Sequence, residues 1–405
     1  MKVTFFHPGF EDVGGAELLA LDQAAWLRDR GVGVEVVTYA LDPARWARRF
    51  EGIPVTVVPR RAWSDVVALG RPVARMRLRA RRARPALQGG DVVLATNYPC
   101  SALLGWVETP ARTVWQCNEP NRRVHPREAN PFLSARASAT AGRGLDDASV
   151  HFARRLAELA RGPARREAEA LATFDVASVS RLDAIFAISA FSRDNARRIY
   201  GRCSDVVVPP MVAFPAGVPP RSGLGRSGLR VLVHSRLERV KNVDTVLRGF
   251  ARFRERADPA ARLHVVGEGA HRPRLEALAV ELGLGSSARF HGFLPDADLA
   301  RVYSDSDVLA CLPVDEPFGM VFPEAAARGL LLVGPDHGGP LEILEGGALG
   351  FTCDAFDPGA LADVLERVAG LPDAEADRLR IAADRACRAR YAPDVVGRML
   401  LEALA

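Results

Sequence analysis

The sequence lacks paired cysteines and long apolar runs. Its six cysteines are scattered and no two form a C-x-x-C pair, so their spacing indicates neither a zinc site nor a disulfide framework. Scattered single thiols fit a reducing compartment. No stretch approaches about 20 uninterrupted apolar residues, so no transmembrane helix is expected, and the run from Met1 to Phe6 is too short for the core of a signal peptide. We therefore expect a cytoplasmic protein.

Lysine is also nearly absent. Among 54 lysine and arginine residues, only Lys2 and Lys241 are lysine. In a chain that otherwise uses arginine, a lysine indicates a site that needs a compact ammonium rather than a guanidinium fork. Lys241 is therefore a candidate functional residue, and the alternative is a surface lysine without a role.

Basic charge is concentrated in the first half of the chain. The 405 residues favour two domains of about 200 residues each. Residues 1–210 carry a net charge of +9 and residues 211–405 carry −4, which together give +5. The densest basic run, Arg71–Arg84, contains seven arginines and is either a solvated helix face or a surface for an anionic membrane or an acidic acceptor. Because no aromatic stacking platform accompanies this run, we do not expect nucleic acid as a partner.

Apolar runs of strand type alternate with helical patterns, which predicts two doubly wound α/β domains with parallel sheets. The predicted strands are Val3–Phe6, Val34–Val37, Val55–Val58, Val92–Ala95, Thr113–Gln116, Ala184–Ile188, Val206–Val208, Val231–His234, Arg262–Val266, Arg289–His291, Val308–Leu312 and Leu331–Val333. Residues 133–172, rich in alanine, arginine and glutamate, predict helices.

A segment rich in proline, glycine and serine, residues 209–228, predicts a linker. It separates an N-terminal domain, residues 1–208, from a C-terminal domain, residues 229–390. Residues 391–405 predict an amphipathic helix that crosses back to the N-terminal domain. In two such domains facing across a cleft, ligands bind at the carboxyl ends of the strands.

The strongest motif is the segment Glu316–Glu324, E-P-F-G-M-V-F-P-E, between a predicted strand and a predicted helix. Its two carboxylates lie at the ends of one loop, and carboxylates bind paired hydroxyl groups well because they are strong hydrogen-bond acceptors. Gly319 permits close approach of a ligand to the backbone, and free N–H groups at the start of a helix suit phosphate oxygens. The alternative is a capping loop with surface acids.

This loop resembles the E-x7-E motif of the retaining glycosyltransferases of GT-B fold, specifically family four. Further segments of the second domain resemble motifs of that family, in its order and at similar spacing: Val233–Asn242, Gly267–Gly269, His291–Leu294 and Gly338–Glu342. The resemblance implies two Rossmann-like domains that face across a cleft, with a nucleotide-sugar donor bound to the second domain and the acceptor on the side of the first.

The resemblance also implies roles for individual residues. Arg236 and Lys241 would hold the donor diphosphate and neutralise the charge that grows on the leaving group. Glu316 would face the transferred sugar, and Glu324 would bind the ribose hydroxyls. Backbone contacts to the sugar, the phosphates and the base are implied for Phe318, Gly319, Met320, Val321, Gly292, Phe293 and Leu294.

In the first domain, Gly14-Gly15-Ala16-Glu17 resembles the family's G-G-x-E loop, which implies backbone N–H groups of Gly14 and Gly15 that bind the diphosphate. A glycine pair alone is a weak signal, because any turn from strand to helix can use one.

The chain departs from the family pattern at Asn118, where many relatives carry a histidine. Asparagine cannot take up a proton at neutral pH, which excludes acid–base chemistry by this residue. His125 either substitutes for the missing histidine or is a loop histidine. Glu119, Arg122 and Arg123 are, with Asn118, acceptor-side candidates, and a surface loop is the equal alternative.

The activity implied is a retaining hexosyl transfer from a UDP- or GDP-sugar to a hydroxyl of a glycan, lipid-linked or small-molecule acceptor, without a cofactor or a metal. Asp305-Ser306-Asp307 spells D-x-D, which binds metal in another glycosyltransferase fold, but here it fits a junction between a helix and a strand. Two alternatives remain open, a nucleotide-sugar epimerase and a non-catalytic nucleotide-sugar-binding subunit. Peripheral binding to a membrane through Arg71–Arg84 is a further hypothesis.

Overall fold

The computed structural model describes residues 1–11, 14–60, 71–139, 147–215 and 228–405. These residues form two compact units. The first comprises residues 1–130, 155–211 and 393–405, and the second comprises residues 131–154 and 212–392. The chain therefore changes unit at residues 130, 154, 211 and 392.

Helices cover the faces of both sheets. In chain order they are α1 (Gly15–Arg28), α2 (Pro43–Trp46), α3 (Pro72–Ala83), α4 (Cys100–Leu104), α5 (Pro131–Ala139), α6 (Asp147–Leu159), α7 (Gly162–Val179), α8 (Ala190–Tyr200), α9 (Val243–Arg256), α10 (Arg272–Glu281), α11 (Asp296–Ser304), α12 (Val321–Ala326), α13 (Gly338–Ile343), α14 (Pro358–Ala369), α15 (Asp373–Tyr391) and α16 (Pro393–Leu404). Within the described ranges, none of them is long and apolar enough to cross a membrane.

The first unit contains a sheet of six parallel strands. They are β1 (Lys2–His7), β2 (Gly33–Thr38), β3 (Val55–Val57), β4 (Val92–Ala95), β5 (Arg112–Cys117) and β6 (Ala184–Ala187). Their order is 3-2-1-4-5-6, and the register pairs Phe5 of β1 with Val36 of β2 and with Leu94 of β4. The central strands are buried on both faces, which explains their nearly continuous apolar sequences. The direction of winding reverses between β1 and β4, and ligands of such sheets bind beyond the strand ends at that point.

The helix α16 packs in the core of the first unit. Val396, Leu400 and Leu404 are buried in one apolar cluster with Trp26 of α1. The indole N–H of Trp26 donates a hydrogen bond of 3.0 Å to Asp394 at the start of α16. The last thirteen residues are thus separate in sequence from the rest of this unit but share its core.

The second unit repeats this topology. Its strands are β7 (Arg230–His234), β8 (Arg262–Val266), β9 (Ala288–Gly292), β10 (Val308–Ala310), β11 (Leu331–Pro335) and β12 (Phe351–Cys353). They are parallel in the order 12-11-10-7-8-9, so the reversal lies between β7 and β10. We therefore expect the ligand crevice of this unit at the carboxyl ends of β7 and β10.

Residues 131–154 correct the predicted domain boundary, because they belong to the second unit rather than to a continuous domain 1–208. The physical reason is a cap on α5. The buried Asp315 accepts hydrogen bonds of 3.0 Å from the backbone N–H groups of Phe132 and Leu133. This contact attaches α5 to the loop that follows β10.

Two strand predictions also differ from the structure. Val206–Val208 does not form a strand, because only Val207 makes a single bridge, to Ala187 at the end of β6. Phe351–Cys353 forms the edge strand β12, which was missed because a run of three residues gives too little periodicity. Residues 216–227 of the predicted linker lie outside the described residues.

Candidate functional site

The chemistry-bearing residues of the second unit gather at the carboxyl ends of β7 and β10. Arg236 comes two residues after β7, and Asp315 and Glu316 come shortly after β10. Lys241 lies at the end of a single 3-10 turn, Arg239–Lys241, between β7 and α9. Residues far apart in the sequence therefore meet at the winding reversal of the sheet.

Lys241 and Glu316 form the central pair of the site. The ammonium Nζ of Lys241 lies 2.5 Å from the carboxylate Oε2 of Glu316, and both side chains are about four-fifths buried, with 21% and 18% exposed. An ammonium has three donors, so Lys241 can bind Glu316 and still offer N–H groups to a further anion. The pair is a strong, directional charge contact at the edge of the crevice.

Asn242 fixes the backbone beside Lys241. Its φ of 56° is left-handed, a conformation that asparagine tolerates better than most residues. Its buried side-chain amide donates hydrogen bonds to the carbonyl oxygens of Leu312, at 3.0 Å, and Ala355, at 2.6 Å. The Lys241 turn is therefore tied to the segments that follow β10 and β12.

The loop from Glu316 to Val321 is held by close backbone packing. Gly319 has a φ of 95°, which costs glycine little and other residues much. The N–H of Gly339 donates a 2.8 Å hydrogen bond to the carbonyl of Glu316. A Cβ at Gly339 would lie 2.3 Å from the carbonyl oxygen of Pro317, so only glycine fits there. Phe318 is buried against Tyr391, with ring centroids 5.1 Å apart.

Two further loop residues predicted to bind the donor, Met320 and Val321, are half-buried at the start of α12. Glu324 lies one turn into the same helix and is half-buried. Burial raises its pKa from 4.5 to about 7, and the nearby Arg328 guanidinium opposes that rise. Glu324 is therefore a carboxyl group that changes protonation near neutral pH, whereas a typical surface glutamate is fully ionised there.

Arg236 is exposed, and its backbone carbonyl accepts a 2.9 Å hydrogen bond from the N–H of Glu238, while its guanidinium makes no hydrogen bond or ion pair within the described ranges. Its loop runs close to the turn after β8, where a Cβ at Gly267 would lie 1.9 Å from the carbonyl oxygen of Ser235. A Cβ at Gly269 would lie 2.4 Å from the carbonyl oxygen of Leu237. Gly267 and Gly269 therefore let the loop after β8 pack backbone against backbone on the loop after β7.

The predicted base-side segment follows β9. Gly292 is buried with a φ of 72°, and its carbonyl accepts a 2.9 Å hydrogen bond from the N–H of Gly267. Phe293 is 73% exposed, and Leu294 is half-buried. An aromatic ring of that exposure is unusual in this chain, where most large apolar side chains are buried. It provides a flat apolar surface at the edge of the unit.

In the first unit, Gly14 is the N-cap of α1 and Gly15 its first residue. Glu17 lies in the first turn of this helix, 3.9 Å from Nε2 of His7. His7 is fully buried, and burial lowers its pKa from 6.5 to about 3, so its imidazole is neutral at physiological pH. The glycine pair thus lies beside β1, at the winding reversal of its own sheet.

Asn118 lies directly after β5 and is 8% exposed. Its amide donates a 2.9 Å hydrogen bond to the side-chain oxygen of Asn97, which follows β4. The hydroxyl of Ser192 donates a 2.6 Å hydrogen bond to the Asn118 carbonyl. These contacts fix an amide, which cannot exchange protons, directly after β5.

His125 is buried in a hydrogen-bonded cluster with Asp175 and Tyr200. Its Nε2 lies 2.8 Å from Oδ2 of the buried Asp175, and the hydroxyl of Tyr200 donates a 2.7 Å hydrogen bond to the same oxygen. His125 is only 7% exposed. These contacts fit the loop-histidine interpretation, and a role of His125 on the acceptor side stays a prediction.

The remaining acceptor-side candidates lie on one turn. Nε of Arg122 lies 2.6 Å from Glu119, and its Nη1 donates a 3.1 Å hydrogen bond to Asn130. The backbone N–H of Arg123 bonds to the side chain of Asn121. Arg122 and Glu119 thus neutralise each other, and this turn carries less free charge than its sequence suggests.

The basic run forms α3, and several of its arginines have structural partners. The guanidinium of Arg77 lies 4.5 Å from the ring centroid of Trp106. Arg84 lies 3.0 Å from Glu108, and Arg75 lies 3.7 Å from Glu167. These contacts fit a solvated helix face, and membrane binding by this helix stays a prediction.

The D-x-D sequence ends in a structural ion pair. Arg230 of β7 donates two side-chain hydrogen bonds to Asp307, of 3.0 and 2.6 Å. In the part of the chain that the structure describes, no group of three or more metal-ligating side chains occurs.

Sequence reasoning missed Asp315, Phe132 and His337. Asp315 is fully buried with a φ of 52°, directly before Glu316. Phe132 lies over the imidazole of His337, with ring centroids 4.2 Å apart. The one available signal for Asp315 was a charged residue three positions after the predicted buried strand Val308–Leu312. No sequence pattern connected residue 132 with residues 315 and 337.

The family model described as glycosyl transferases group 1 matches residues 221–385. The D-inositol 3-phosphate glycosyltransferase of Thermomonospora curvata is 36% identical over 179 residues, which are 42% of this chain and 41% of that protein. The mannosylfructose-phosphate synthase of Agrobacterium fabrum is 32% identical over 145 residues, 34% of this chain and 32% of that one. The alignments thus span less than half the length of these curated relatives.

Solved structures match the whole chain. Anabaena Alr3699/HepE in complex with UDP-glucose superposes with a TM-score of 0.72 at 18% identity, covering 100% of this chain and 99% of that one. The sucrose-phosphate synthase of Thermosynechococcus elongatus superposes with a TM-score of 0.69 at 16% identity, covering 99% and 98%. At such identities the likeness shows the fold alone, and it confirms the GT-B fold with two Rossmann-like halves that the sequence predicted.

Proposed function

Because residues 221–385 match the family model described as glycosyl transferases group 1, we propose that this chain transfers a hexose from a nucleoside diphosphate sugar to a hydroxyl group of an acceptor. The observation that carries the proposal is the pair of Lys241 and Glu316, 2.5 Å apart at the winding reversal of the second sheet. In such sheets this is the position where nucleotides bind.

The donor diphosphate binds Lys241 and Arg236 in this proposal. Lys241 offers the ammonium donors that Glu316 leaves free, and the exposed Arg236 offers a guanidinium fork that suits phosphate oxygens. Both cations stabilise the charge that develops on the departing phosphate, which is usually the largest single contribution to such catalysis. UDP- and GDP-sugars are the donors we expect.

The two carboxylates of the loop divide the hydroxyl groups of the donor between them. Glu316 accepts hydrogen bonds from the transferred sugar, and Glu324 accepts them from the ribose. Backbone groups from Phe318 to Val321 and from Gly292 to Leu294 line the sugar, the phosphates and the base. In the first unit, the N–H groups of Gly14 and Gly15 are donors for the diphosphate, as the terminal groups of a helix suit an anion.

The reaction retains the configuration of the anomeric carbon in this proposal. The acceptor oxygen forms a bond to that carbon on the face from which the phosphate leaves. The bond to the phosphate oxygen breaks, and the acceptor proton passes to a donor phosphate oxygen. Asn118 fits this route because its amide takes no part in proton transfer. The proposal needs no metal and no cofactor, since the two cations provide the positive charge.

The acceptor is proposed only by class, as a hydroxyl group of a glycan, a lipid-linked sugar or a small metabolite. The names of several similar proteins contain phosphorylated polyhydroxy compounds, among them the D-inositol 3-phosphate glycosyltransferases and the mannosylfructose-phosphate synthase. The turn with Glu119, Arg122 and Arg123 is the candidate surface for its recognition.

The test is an assay of nucleoside diphosphate release from UDP-, GDP-, ADP- and dTDP-hexoses, with NMR of the sugar product. Wild-type protein should release one nucleoside diphosphate and give a product with the anomeric configuration of the donor. Glu316→Gln should slow that release by about 10²–10³-fold while the nucleotide still binds. Conversion of the donor into an epimer without release would instead identify an epimerase, and binding without turnover in wild type would indicate a non-catalytic subunit.

A further inference from the structure

The helix α5 is attached to the turn that carries Glu316. Asp315, which directly precedes Glu316, accepts hydrogen bonds of 3.0 Å from the backbone N–H groups of Phe132 and Leu133. Asp315 has no exposed surface and a left-handed φ of 52°. The backbone of Phe132 is therefore bound to the residue next to Glu316, the carboxylate that faces the transferred sugar in the proposed function.

The ring of Phe132 is held by a stack of aromatic rings. It lies against the imidazole of His337, with centroids 4.2 Å apart and planes at 31°. His337 is stacked on Phe356 at 4°, with centroids 6.4 Å apart, and the guanidinium of Arg136 lies 4.9 Å from the centre of Phe356. Phe132, His337 and Phe356 thus form one column of rings.

His337 connects this column of rings to the turn that follows β11. It precedes Gly338, whose φ is 74°, and a Cβ on that glycine would lie 2.9 Å from the carbonyl oxygen of Glu316. The turns that follow β10 and β11 therefore touch each other. Phe132 contacts the turn after β10 through Asp315 and the turn after β11 through His337.

Phe132 keeps 39% of its surface exposed, whereas its neighbour Leu133 is 1% exposed. Sugar-binding sites combine carboxylates, which accept hydrogen bonds from the hydroxyl edge of a pyranose, with apolar surface that packs against its C–H face. Glu316 supplies the first component of such a site, and the fixed, partly exposed ring of Phe132 supplies the second.

We propose that Phe132 is the apolar wall of the sugar subsite and packs against the C–H face of a pyranose ring. This inference rests on the proposed function and deepens it, because it names a residue that determines sugar affinity. The pyranose is either the transferred hexose of the donor or a sugar ring of the acceptor, and both present the same C–H face.

The experiment compares wild type, Phe132→Ala, Phe132→Tyr, which keeps the ring, and Val280→Ala, a control at a side chain that is 79% exposed on α10. Calorimetry measures the Kd of the preferred nucleoside diphosphate and of its nucleotide sugar. If the wall binds the transferred hexose, Phe132→Ala should raise the Kd of the nucleotide sugar by about three- to tenfold, which is the size of one aromatic contact. The Kd of the nucleoside diphosphate should be unchanged within about twofold. Phe132→Tyr and Val280→Ala should have the Kd values of wild type.

The acceptor arm measures KM for methyl pyranosides at saturating donor. A rise of KM by a similar factor in Phe132→Ala, with donor Kd unchanged, would place the acceptor sugar on the wall. An equal rise in the Kd of the nucleoside diphosphate and of the nucleotide sugar would show that the ring merely supports Asp315. That result would overturn the inference. Wild-type affinities and KM in Phe132→Ala would overturn it too. If wild type binds no nucleotide at all, the proposed function itself fails, which is a separate result.

Discussion

At the scale of single residues, the site combines groups whose properties depend on burial. Glu324 has a pKa near 7 because the protein around its carboxyl group disfavours the charged form. Lys241 is paired with Glu316, whereas the guanidinium of Arg236 is exposed and has no partner among the described residues. Residues kept in such environments usually serve a ligand rather than the fold, since burying a charge reduces stability.

Glu324→Gln should stabilise the protein at alkaline pH. Folding raises the pKa of Glu324 from 4.5 to about 7, so the folded state binds more protons than the unfolded state between these values. The free energy of unfolding of wild type therefore falls as pH rises through this window. Glutamine cannot ionise, so the variant should be more stable than wild type by about 1–3 kcal/mol at pH 8 and similar to it at pH 4. Urea unfolding at the two pH values measures this, and Glu255→Gln, at an exposed glutamate of α9, is the control.

Donor affinity should depend on the same proton. Ribose hydroxyls need a carboxylate acceptor, and that acceptor is lost as pH falls through about 7. We expect the Kd for the nucleoside diphosphate to rise as pH falls from 8 to 6 in wild type. In Glu324→Gln the affinity should be weak at both pH values. A Kd for wild type that is flat across this range, with full affinity in the variant, would remove Glu324 from the binding site.

Replacing His125 distinguishes a role in stability from a role in catalysis. The loss of its imidazole would leave the buried Asp175 with Tyr200 as its remaining hydrogen-bond donor. His125→Ala should lower the free energy of unfolding by about 2–4 kcal/mol and leave kcat within about threefold of wild type below the unfolding transition. A large loss of kcat with unchanged stability would instead identify His125 as the acid–base residue.

At the scale of elements, the site depends on loops that only glycine allows to touch. Gly339 packs on Pro317, and Gly267 packs on Ser235, both at distances that no Cβ would permit. These contacts join the loop after β7 to the loop after β8, and the loop after β10 to the loop after β11. Such loops at the carboxyl ends of strands are the usual carriers of function in α/β folds.

Gly339→Ala should disrupt this surface. The added Cβ would lie 2.3 Å from the Pro317 oxygen and 2.5 Å from Cα of Phe318, so the loop after Glu316 has to move. We expect a loss of stability of about 1–3 kcal/mol and weaker nucleotide binding. Gly370→Ala is the matched control, because its nearest neighbour would be 3.4 Å away and its φ is −86°. Equal behaviour of the two variants in nucleotide binding would contradict the role of loop packing.

The sequence predicted most of these elements because their signals are local. Eleven of the twelve predicted strands, such as Val231–His234 and Val92–Ala95, overlap strands of the structure, since buried parallel strands are continuous apolar runs. Which residues of the site come together was accessible only through motif resemblance. Phe132 could not be placed, because its partners Asp315 and His337 are about 180 and 200 residues away and share no periodic pattern with it.

At the scale of the whole molecule, the chain returns to its first unit at the end. Residues 393–405 belong to the unit formed by residues 1–130 and 155–211. The close contact is at Gly397, where a Cβ would lie 2.1 Å from the indole of Trp26. The last helix is therefore a component of the first unit's core rather than a tail.

Gly397→Val should separate α16 from α1. The added side chain cannot fit against Trp26, so we expect the first unit to lose about 1–3 kcal/mol of stability, with Trp26 becoming more exposed. Differential scanning calorimetry and quenching of tryptophan fluorescence measure the two effects. Gly370→Ala is again a suitable control. An unchanged Tm would mean that the packing of α16 contributes little to this unit.

The most direct test of the account is nucleotide binding by Lys241→Ala and Lys2→Ala. These are the two lysines of the chain, and each forms an ion pair, Lys241 with Glu316 at 2.5 Å and Lys2 with Glu35 at 2.8 Å. Thermal shift with UDP, GDP, ADP and dTDP should raise the Tm of wild type and of Lys2→Ala with one nucleotide, and this rise should vanish in Lys241→Ala. The same rise in all three proteins, or none in wild type, would contradict the assignment of the donor site to Lys241 and Glu316.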